Sequence, residues 1–455
     1  MSDPTKGGEG GGMLRVLGTR DAMCVVIGAI IGVGIFFTPS RVAAVSADGG
    51  FAMLAWIVAG GIALCGALAF AELGGMYHAP GAQYEILRDS YGPFPAFLFV
   101  FCNATAVQAG AIGVIAVICT ENLIVASGRP AGSSGGVLAV SIALIGLVTL
   151  ANAVGVRWGA RIQNFTVYAK VLTLLVITGL ALLVSPEKPV ASPDEMPLRS
   201  LSPFAGLLAA LTPAFFAFGG WQHALWISGE VKNPSKALPR AIVGGVLVVI
   251  VVYLLANWAY LDLLGFRGVA TSKSLAADAV GSVFPSTGRR VIAGAVALSA
   301  FGVLNAQLLS GPRLVYAAAR DGRFFAPFAR LSARFGTPVA AILLLTGVAV
   351  ALLLAAGGKD AVDRLTTGVV LIDGVFFGLT GIALFVLRRK KRDASRSFRV
   401  PLYPVVPALF VIGELGLIVG AFLEPSVRVP ALIAVGWIGV AGVLYAARFR
   451  RGSGS

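Results

Sequence analysis

The sequence predicts an all-α polytopic membrane protein of 12 transmembrane helices: a five-plus-five inverted repeat with broken helices 1 and 6, followed by two C-terminal helices. Three observations carry that prediction. Of 455 residues, 57% are hydrophobic and only 13% charged, far from the usage of soluble globular proteins. Apolar runs long enough to cross a bilayer, roughly 20 residues each, recur along the whole chain. Two of those runs are interrupted by glycine in mid-stretch.

The first run, 22–44, contains Gly28-Ala29-Ile30-Ile31-Gly32-Val33-Gly34-Ile35-Phe36-Phe37-Thr38-Pro39. Gly costs a helix about 1 kcal/mol relative to Ala, and Pro39 lacks an N–H, so this run predicts a helix that stops halfway. Backbone groups freed inside a bilayer need protein or a polar cavity to take them up. Continuous spans follow at 51–75, 94–120, 136–154 and 160–184. The sixth run, 203–228, breaks again at Phe215-Phe216-Ala217-Phe218-Gly219-Gly220-Trp221, just after Pro213. Spans at 240–263, 290–318, 338–356, 365–387, 402–422 and 430–447 complete the set.

Grouping spans 1–5 and 6–10 makes a broken helix the first of each group, and an odd number of spans gives the groups opposite orientations. The predicted organisation is a disordered tail at 1–12, a first repeat at 13–200, a second at 201–390, two appended spans at 391–448 and a tail at 449–455. Nothing at the start reads as a cleavable signal, so the first span is expected to stay.

The net charge of +15 does not indicate nucleic-acid binding, because the basic residues sit in short loops between spans. With the N-terminus inside, 24 of the 36 Lys and Arg fall on the inner side and 11 on the outer. Both termini are therefore expected in the cytoplasm, the protein in a cell inner membrane. The cluster Arg388-Arg389-Lys390-Lys391-Arg392 reads as a stop-transfer loop, with anionic membrane lipid as an additional partner. Cys24, Cys65, Cys102 and Cys119 all lie within spans, so they read as buried hydrophobes and no disulfide-linked accessory subunit is expected. The only histidines, His78 and His223, support neither a metal cluster nor a nucleophile triad. There is no Walker-type phosphate loop. The sequence points away from an enzyme, and no metal or cofactor is expected.

Several motifs resemble the amino acid–polyamine–organocation superfamily, in particular bacterial permeases similar to L-type amino-acid transporters. Gly28–Pro39 resembles the family's first-span motif. Ala71-Glu72-Leu73, Pro80-Gly81-Ala82-Gln83-Tyr84 and Tyr91-Gly92 are similar to its second-span exit. Phe216–Trp221, Gly229-Glu230-Val231-Lys232-Asn233-Pro234 and Pro239-Arg240-Ala241 resemble the sixth-span signature, while Asn305, Gly311-Pro312-Arg313, Ala319-Arg320-Asp321-Gly322 and Thr337-Pro338 resemble the eighth span and its loop. The resemblance covers about residues 14–447 and implies alternating access through the five-plus-five fold. Val33 stands where many members have Ser, and Ala82 replaces a frequent Gly.

A zwitterionic amino acid needs donors and acceptors close together at membrane depth. The half-helix beginning near Gly34 offers free N–H groups and a positive dipole end to the carboxylate, and carbonyls around Ile30, Phe216 and Phe218 accept from the ammonium. The expected substrate-binding set is Ile30, Ile31, Gly32, Val33, Gly34, Phe216, Ala217, Phe218 and Gly219. The resemblance places the gating aromatic at Phe216. The competing readings are a Gly28–Gly32 helix-packing face and ordinary packing of the rings.

Lys170 lies ten residues from Ala160, roughly 15 Å at 1.5 Å per residue, with no neutralising neighbour in sequence. Three readings stay open: a fixed cation joining spans 1, 5 and 8 where related carriers bind sodium, a proton carrier, or a side chain turned to a polar crevice. Either of the first two argues against sodium dependence. Asp373 and Asn305 are candidates for the pathway or for helix pairing, and Glu72 for a solvated helix end or loop partner. No acid lies in either break, so a neutral amino acid is favoured, carried by exchange or proton symport. The alternatives are a polyamine or cationic amino-acid carrier, and a non-transporting sensor or channel on the same fold.

Overall fold

The computed structural model describes residues 13–129, 132–184, 202–272, 274–284, 287–356, 361–423 and 425–449, with backbone alone for 361–370, 421, 423 and 425–427. The expected tails at 1–12 and beyond residue 449, and the boundary between the repeats at 200, lie outside those residues. Phe449 itself packs against Phe97, ring centroids 5.1 Å apart.

Among the described residues the regular structure is helical. Nine stretches are long and apolar enough to cross a membrane, and Pro203–Phe216 and Val405–Gly420 are shorter apolar helices. The first run is two helices, α1 (Thr19–Ile30) and α2 (Thr38–Val45), joined through a 3₁₀ turn at Gly34–Phe36. The long helix α3 (Gly49–Met76) starts where the Asp48 side chain accepts the Phe51 N–H, an ordinary N-cap.

A short helix not expected from the spans, α4 (Ala82–Tyr91), follows Gly81 at φ +69°. Gly is required there, since a Cβ would stand 2.7 Å from the Arg313 carbonyl oxygen. Next, α5 (Pro93–Cys102) and α6 (Gln108–Ala126) form one span with a π-helical turn at Asn103–Val107. The pair α7 (Ser134–Val154) and α8 (Val156–Leu183) turns at Gly155.

The sixth run is again two pieces, α9 (Pro203–Phe216) and the single turn α10 (His223–Trp226). Beyond it lie α11 (Pro234–Thr271), bent at Gly265, and the short α12 (Leu275–Gly281). The eighth span is α13 (Gly288–Ser310) continued by α14 (Pro312–Arg320). The remaining helices are α15 (Val339–Ala356), α16 (Ala361–Lys390), α17 (Val405–Leu423) and α18 (Pro425–Arg448).

α1 sits between α11, α8 and α13, while α11 packs along α3 and α13 along α6. The face where the chain starts, here the lower face, is tied together. The Val16 and Leu17 N–H groups both donate to the Glu230 carbonyl at 2.9 Å, and Lys232 N–H returns to Leu17.

Candidate functional site

The two breaks meet. Gly220, at φ +138°, lies against the last turn of α1 so closely that a Cβ would stand 2.8 Å from Ala29 C and Ile30 N. Only glycine allows that approach without strain. The Tyr253 hydroxyl, buried on α11, donates to the Ile30 carbonyl at 3.0 Å and to the Ala217 carbonyl at 3.3 Å. A single hydroxyl therefore caps the ends of α1 and α9 together.

After Ile30 the chain turns tightly, with Gly32 N–H to the Ile30 carbonyl at 2.8 Å. The next donors to find partners within the segment are Phe36, to Val33, and Phe37, to Gly34. Like the first turn of any helix, this leaves the N–H groups of Val33, Gly34 and Ile35 without a backbone acceptor in the segment. Val33 is an uncharged, partly buried side chain here, so polar recognition at this break is a matter of backbone.

The expected acceptors divide. The Ile30 carbonyl is already used by Gly32 and Tyr253, and the Phe216 carbonyl takes the Gly219 N–H at 3.1 Å. The Phe218 ring is fully buried, edge-on to Trp56 at 5.8 Å and against Tyr253 at 5.1 Å, so it is a packing group. Phe216 differs: its ring is 47% exposed at the end of α9. The broken segments 31–37 and 217–222 carry no charged side chain.

Lys170 is buried on α8. Its Nζ donates to the Ile31 carbonyl at 2.6 Å, the Gly28 carbonyl at 3.1 Å and the Ser299 carbonyl on α13 at 3.5 Å. Two of these are among the carbonyls that the end of α1 leaves without an N–H. Gly302 makes room, since a Cβ there would stand 3.2 Å from Nζ. The Ser299 hydroxyl adds a bond to the Gly32 carbonyl at 3.2 Å.

Asn305 is wholly buried behind the break. Its Nδ2 donates to the Gly159 carbonyl at 2.8 Å and to Gln163 Oε1 at 3.0 Å, and its Oδ1 accepts from Asn152 at 3.0 Å. These bonds join α7, α8 and α13, and none reaches an atom of the break. Asp373 lies on α16, away from both breaks in sequence and beside α17.

The lower face is closed by charge. Arg313 pairs with Glu230 through Nε at 3.1 Å and Nη2 at 2.9 Å, both side chains buried. Glu72 is a loop partner, bonded by Arg388 at 2.5 Å, Arg396 at 3.2 Å and Val400 N–H at 2.7 Å. Lys391 meets Asp89 at 2.6 Å, and Tyr77 donates to Asp89 at 3.0 Å. Hydrogen bonding to Asp89 raises Lys391 above its ordinary pKa. Burial alone would raise Asp89, but bonds from Lys391, Tyr77 and Arg88 hold it below the usual carboxylate value. A hollow of about 420 Å³ between Tyr77, Ser235 and Lys391 opens on this face, not at the breaks.

The model of the family described as "Amino acid permease" matches residues 17–445. The chain belongs to that family. This permease is a multi-pass membrane protein of amino-acid transport, within the amino acid–polyamine–organocation superfamily. It is 28% identical over 450 residues to the serine/threonine exchanger SteT of Bacillus subtilis, covering 98% of this chain and 99% of that one. It is 32% identical over 422 residues to the human large neutral amino acids transporter small subunit 2, covering 90% and 77%. Against the mouse b(0,+)-type amino acid transporter 1 it is 30% identical over 430 residues, covering 92% and 84%.

Sequence reasoning passed over Tyr253 and Ser299, which tie the first break to α11 and α13, and Gln163, which joins α8 to the Cys24 carbonyl of α1. Gln163 carried a faint signal, a polar amide about two turns before Lys170 in an apolar helix. Tyr253 carried none, being one more aromatic in an apolar run.

Proposed function

We propose that this permease carries a neutral amino acid across the cytoplasmic membrane by alternating access, binding it between the breaks of α1 and α9–α10. The observation that carries the reading is the meeting of the two breaks at Gly220 and Tyr253, uncharged throughout and with backbone donors free at Val33–Ile35. A carboxylate suits those donors and the positive end of the following turn. The ammonium then falls to the Phe218 carbonyl and to the second lone pair of the Phe216 carbonyl, and the exposed Phe216 ring closes over the ligand.

In this reading the chain has twelve spans in a five-plus-five inverted repeat, with α1–α2 and α9–α10 as the broken members and α17 and α18 appended. Both termini are cytoplasmic, so the lower face is the inner one. Glu230 and Arg313 seal it in an outward-facing arrangement. Lys170 stands as a fixed cation under the break, and transport needs no sodium.

Exchange is favoured over uptake driven by a gradient, because the bacterial relative that aligns end to end is named an exchanger of serine and threonine. The test is counterflow in proteoliposomes. Preloaded L-serine or L-threonine is expected to accelerate entry of the labelled amino acid, with sodium or choline alike. Uptake unaffected by internal amino acid would refute exchange. Flux of a polyamine in place of amino acids would refute the substrate.

A further inference from the structure

The buried stripe of α17 is Val406, Phe410 and Glu414, four residues apart on a helix whose other described side chains, Pro407 aside, are half-buried or exposed. Two of these are ordinary packing residues and the third is an acid. Glu414 is 2% exposed, and its Oε2 has no hydrogen-bond partner. Facing it on α16 is Gly374, next to Asp373. A Cβ on Gly374 would stand 3.5 Å from Glu414 Oε2, and one on Gly378 would stand 3.6 Å from Glu414 Cβ. The glycines thus set the Glu414 carboxylate against α16 one residue from the half-buried Asp373, whose charge acts on it.

α4, which meets α16 near Leu379 and Thr380, carries Glu85, Arg88 and Asp89, with Arg88 held by Asp89 and Asp321; the other neighbouring elements bring no counter-charge among the described residues. α3 meets this part of α17 with Ile62 and Gly66, and α9 approaches it with Thr212. Cys65 of α3 is uncharged as a thiol, and Glu72 is held at the lower end by Arg388 and Arg396. α15 has no titratable residue, and the arginines of α18, Arg428 and Arg448, sit toward its two ends. α6 contributes only Cys119 and Glu121 near its upper end.

We propose that Asp373 and Glu414 form a proton-binding site, separate from Lys170, holding one proton between the two carboxylates. Two like charges in a low-dielectric interior do not both ionise readily. Binding turns one carboxylate into a neutral carboxylic acid and removes its repulsion from the other. Release leaves two anions that push α16 and α17 apart.

That movement has a route to the substrate. Phe377, one turn from Asp373, and Phe410, one turn from Glu414, both pack on Trp221, with ring centroids 5.5 and 6.0 Å away. Trp221 follows Gly220 directly, so the occupancy of the proton site biases the sixth-span break. This coupling rests on the substrate site proposed above, whereas the proton site does not.

The experiment is a differential acid–base titration of the purified full-length protein in detergent, wild type against Glu414→Gln, Asp373→Asn and the double variant. Above about pH 5.5 an ordinary carboxylate is ionised and takes up almost nothing. Wild type is expected to bind close to one proton more than the double variant between about pH 8 and pH 5.5. Identical curves would overturn the site. A difference that vanishes in sodium chloride but persists in choline chloride would overturn the proton in favour of a metal cation. In proteoliposomes, Glu414→Gln is expected to flatten the pH profile of L-serine exchange while keeping the low-pH rate. An unchanged profile overturns the coupling. If wild type exchanges no amino acid at all, the transport reading fails while the titration still decides the proton site. Asp373→Asn serves the same purpose should Glu414→Gln not remain monodisperse.

Discussion

Gly220→Ala asks whether the contact between the two breaks is what binds substrate. The added Cβ would stand 2.8 Å from two backbone atoms of α1 and 3.0 Å from the Ala29 carbonyl oxygen, with no flexible side chain to give way. Overpacking of this kind costs roughly 1–3 kcal/mol, and the φ of +138° adds about 1–2 kcal/mol for a residue with a Cβ. Relief comes from parting the breaks, so a sum of roughly 2–5 kcal/mol appears as substrate affinity weakened about 30-fold or more. The assay is equilibrium binding of labelled amino acid to purified protein, with thermal melting alongside. Gly61→Ala is the control, because its Cβ meets nothing within 4 Å. Binding by Gly220→Ala within about threefold of wild type, with an unchanged melt, would refute the reasoning.

Lys170→Met strips the donor from the Gly28 and Ile31 carbonyls, at roughly 1–3 kcal/mol for each buried acceptor left unpaired. Exchange is expected to collapse, and a wild-type rate and pH profile would remove Lys170 from the mechanism. Glu230→Ala leaves the buried Arg313 uncompensated, lowering stability by roughly 3–5 kcal/mol; Glu230→Met with Arg313→Leu is expected to recover most of the melting temperature. Asp89 has a depressed folded pKa, so its stabilisation is complete above the unfolded value of about 3.9 and disappears as pH falls through the folded value. Lys391 is raised, so its share is complete below about 10.4 and disappears as pH rises through its own folded value. Asp89→Asn should therefore lower the melting temperature between those limits and converge on wild type in strong acid.

Helix interruption was legible because it is local. The glycines at 28, 32 and 34 and the pair 219–220 mark their own positions, and the depth of Lys170 follows from counting residues along one helix. What escaped were contacts between distant segments. The motif leads one to expect that Phe218 offers its carbonyl to the substrate with its ring open to a packing role, and only the positions of Trp56 and Tyr253 show that the ring packs. Glu414 stands alone among the charges of α17, and only packing shows that Gly374, next to Asp373, faces it. Asn305 reads equally well as a pathway residue or as helix glue, and only the positions of Gly159, Gln163 and Asn152 show what it bonds. The short helices α4 and α12 fall in loops, where hydropathy has nothing to say.

The bonds from Val16 and Leu17 to Glu230 also fix an order of events during synthesis. The first hydrophobic segment leaves the ribosome long before residue 230 exists. At roughly 5–20 residues per second, it waits on the order of 10–40 seconds for that carbonyl, and longer still for Arg313 to anchor the Glu230 side chain. Throughout that interval the backbone N–H groups of Val16 and Leu17 lack their native acceptor, although α8 already offers Asn164 to Asp21. Nascent chains arrested before and after residue 313 should differ sharply in protease sensitivity near Leu17, which makes the lower-face clasp a marker for completed assembly.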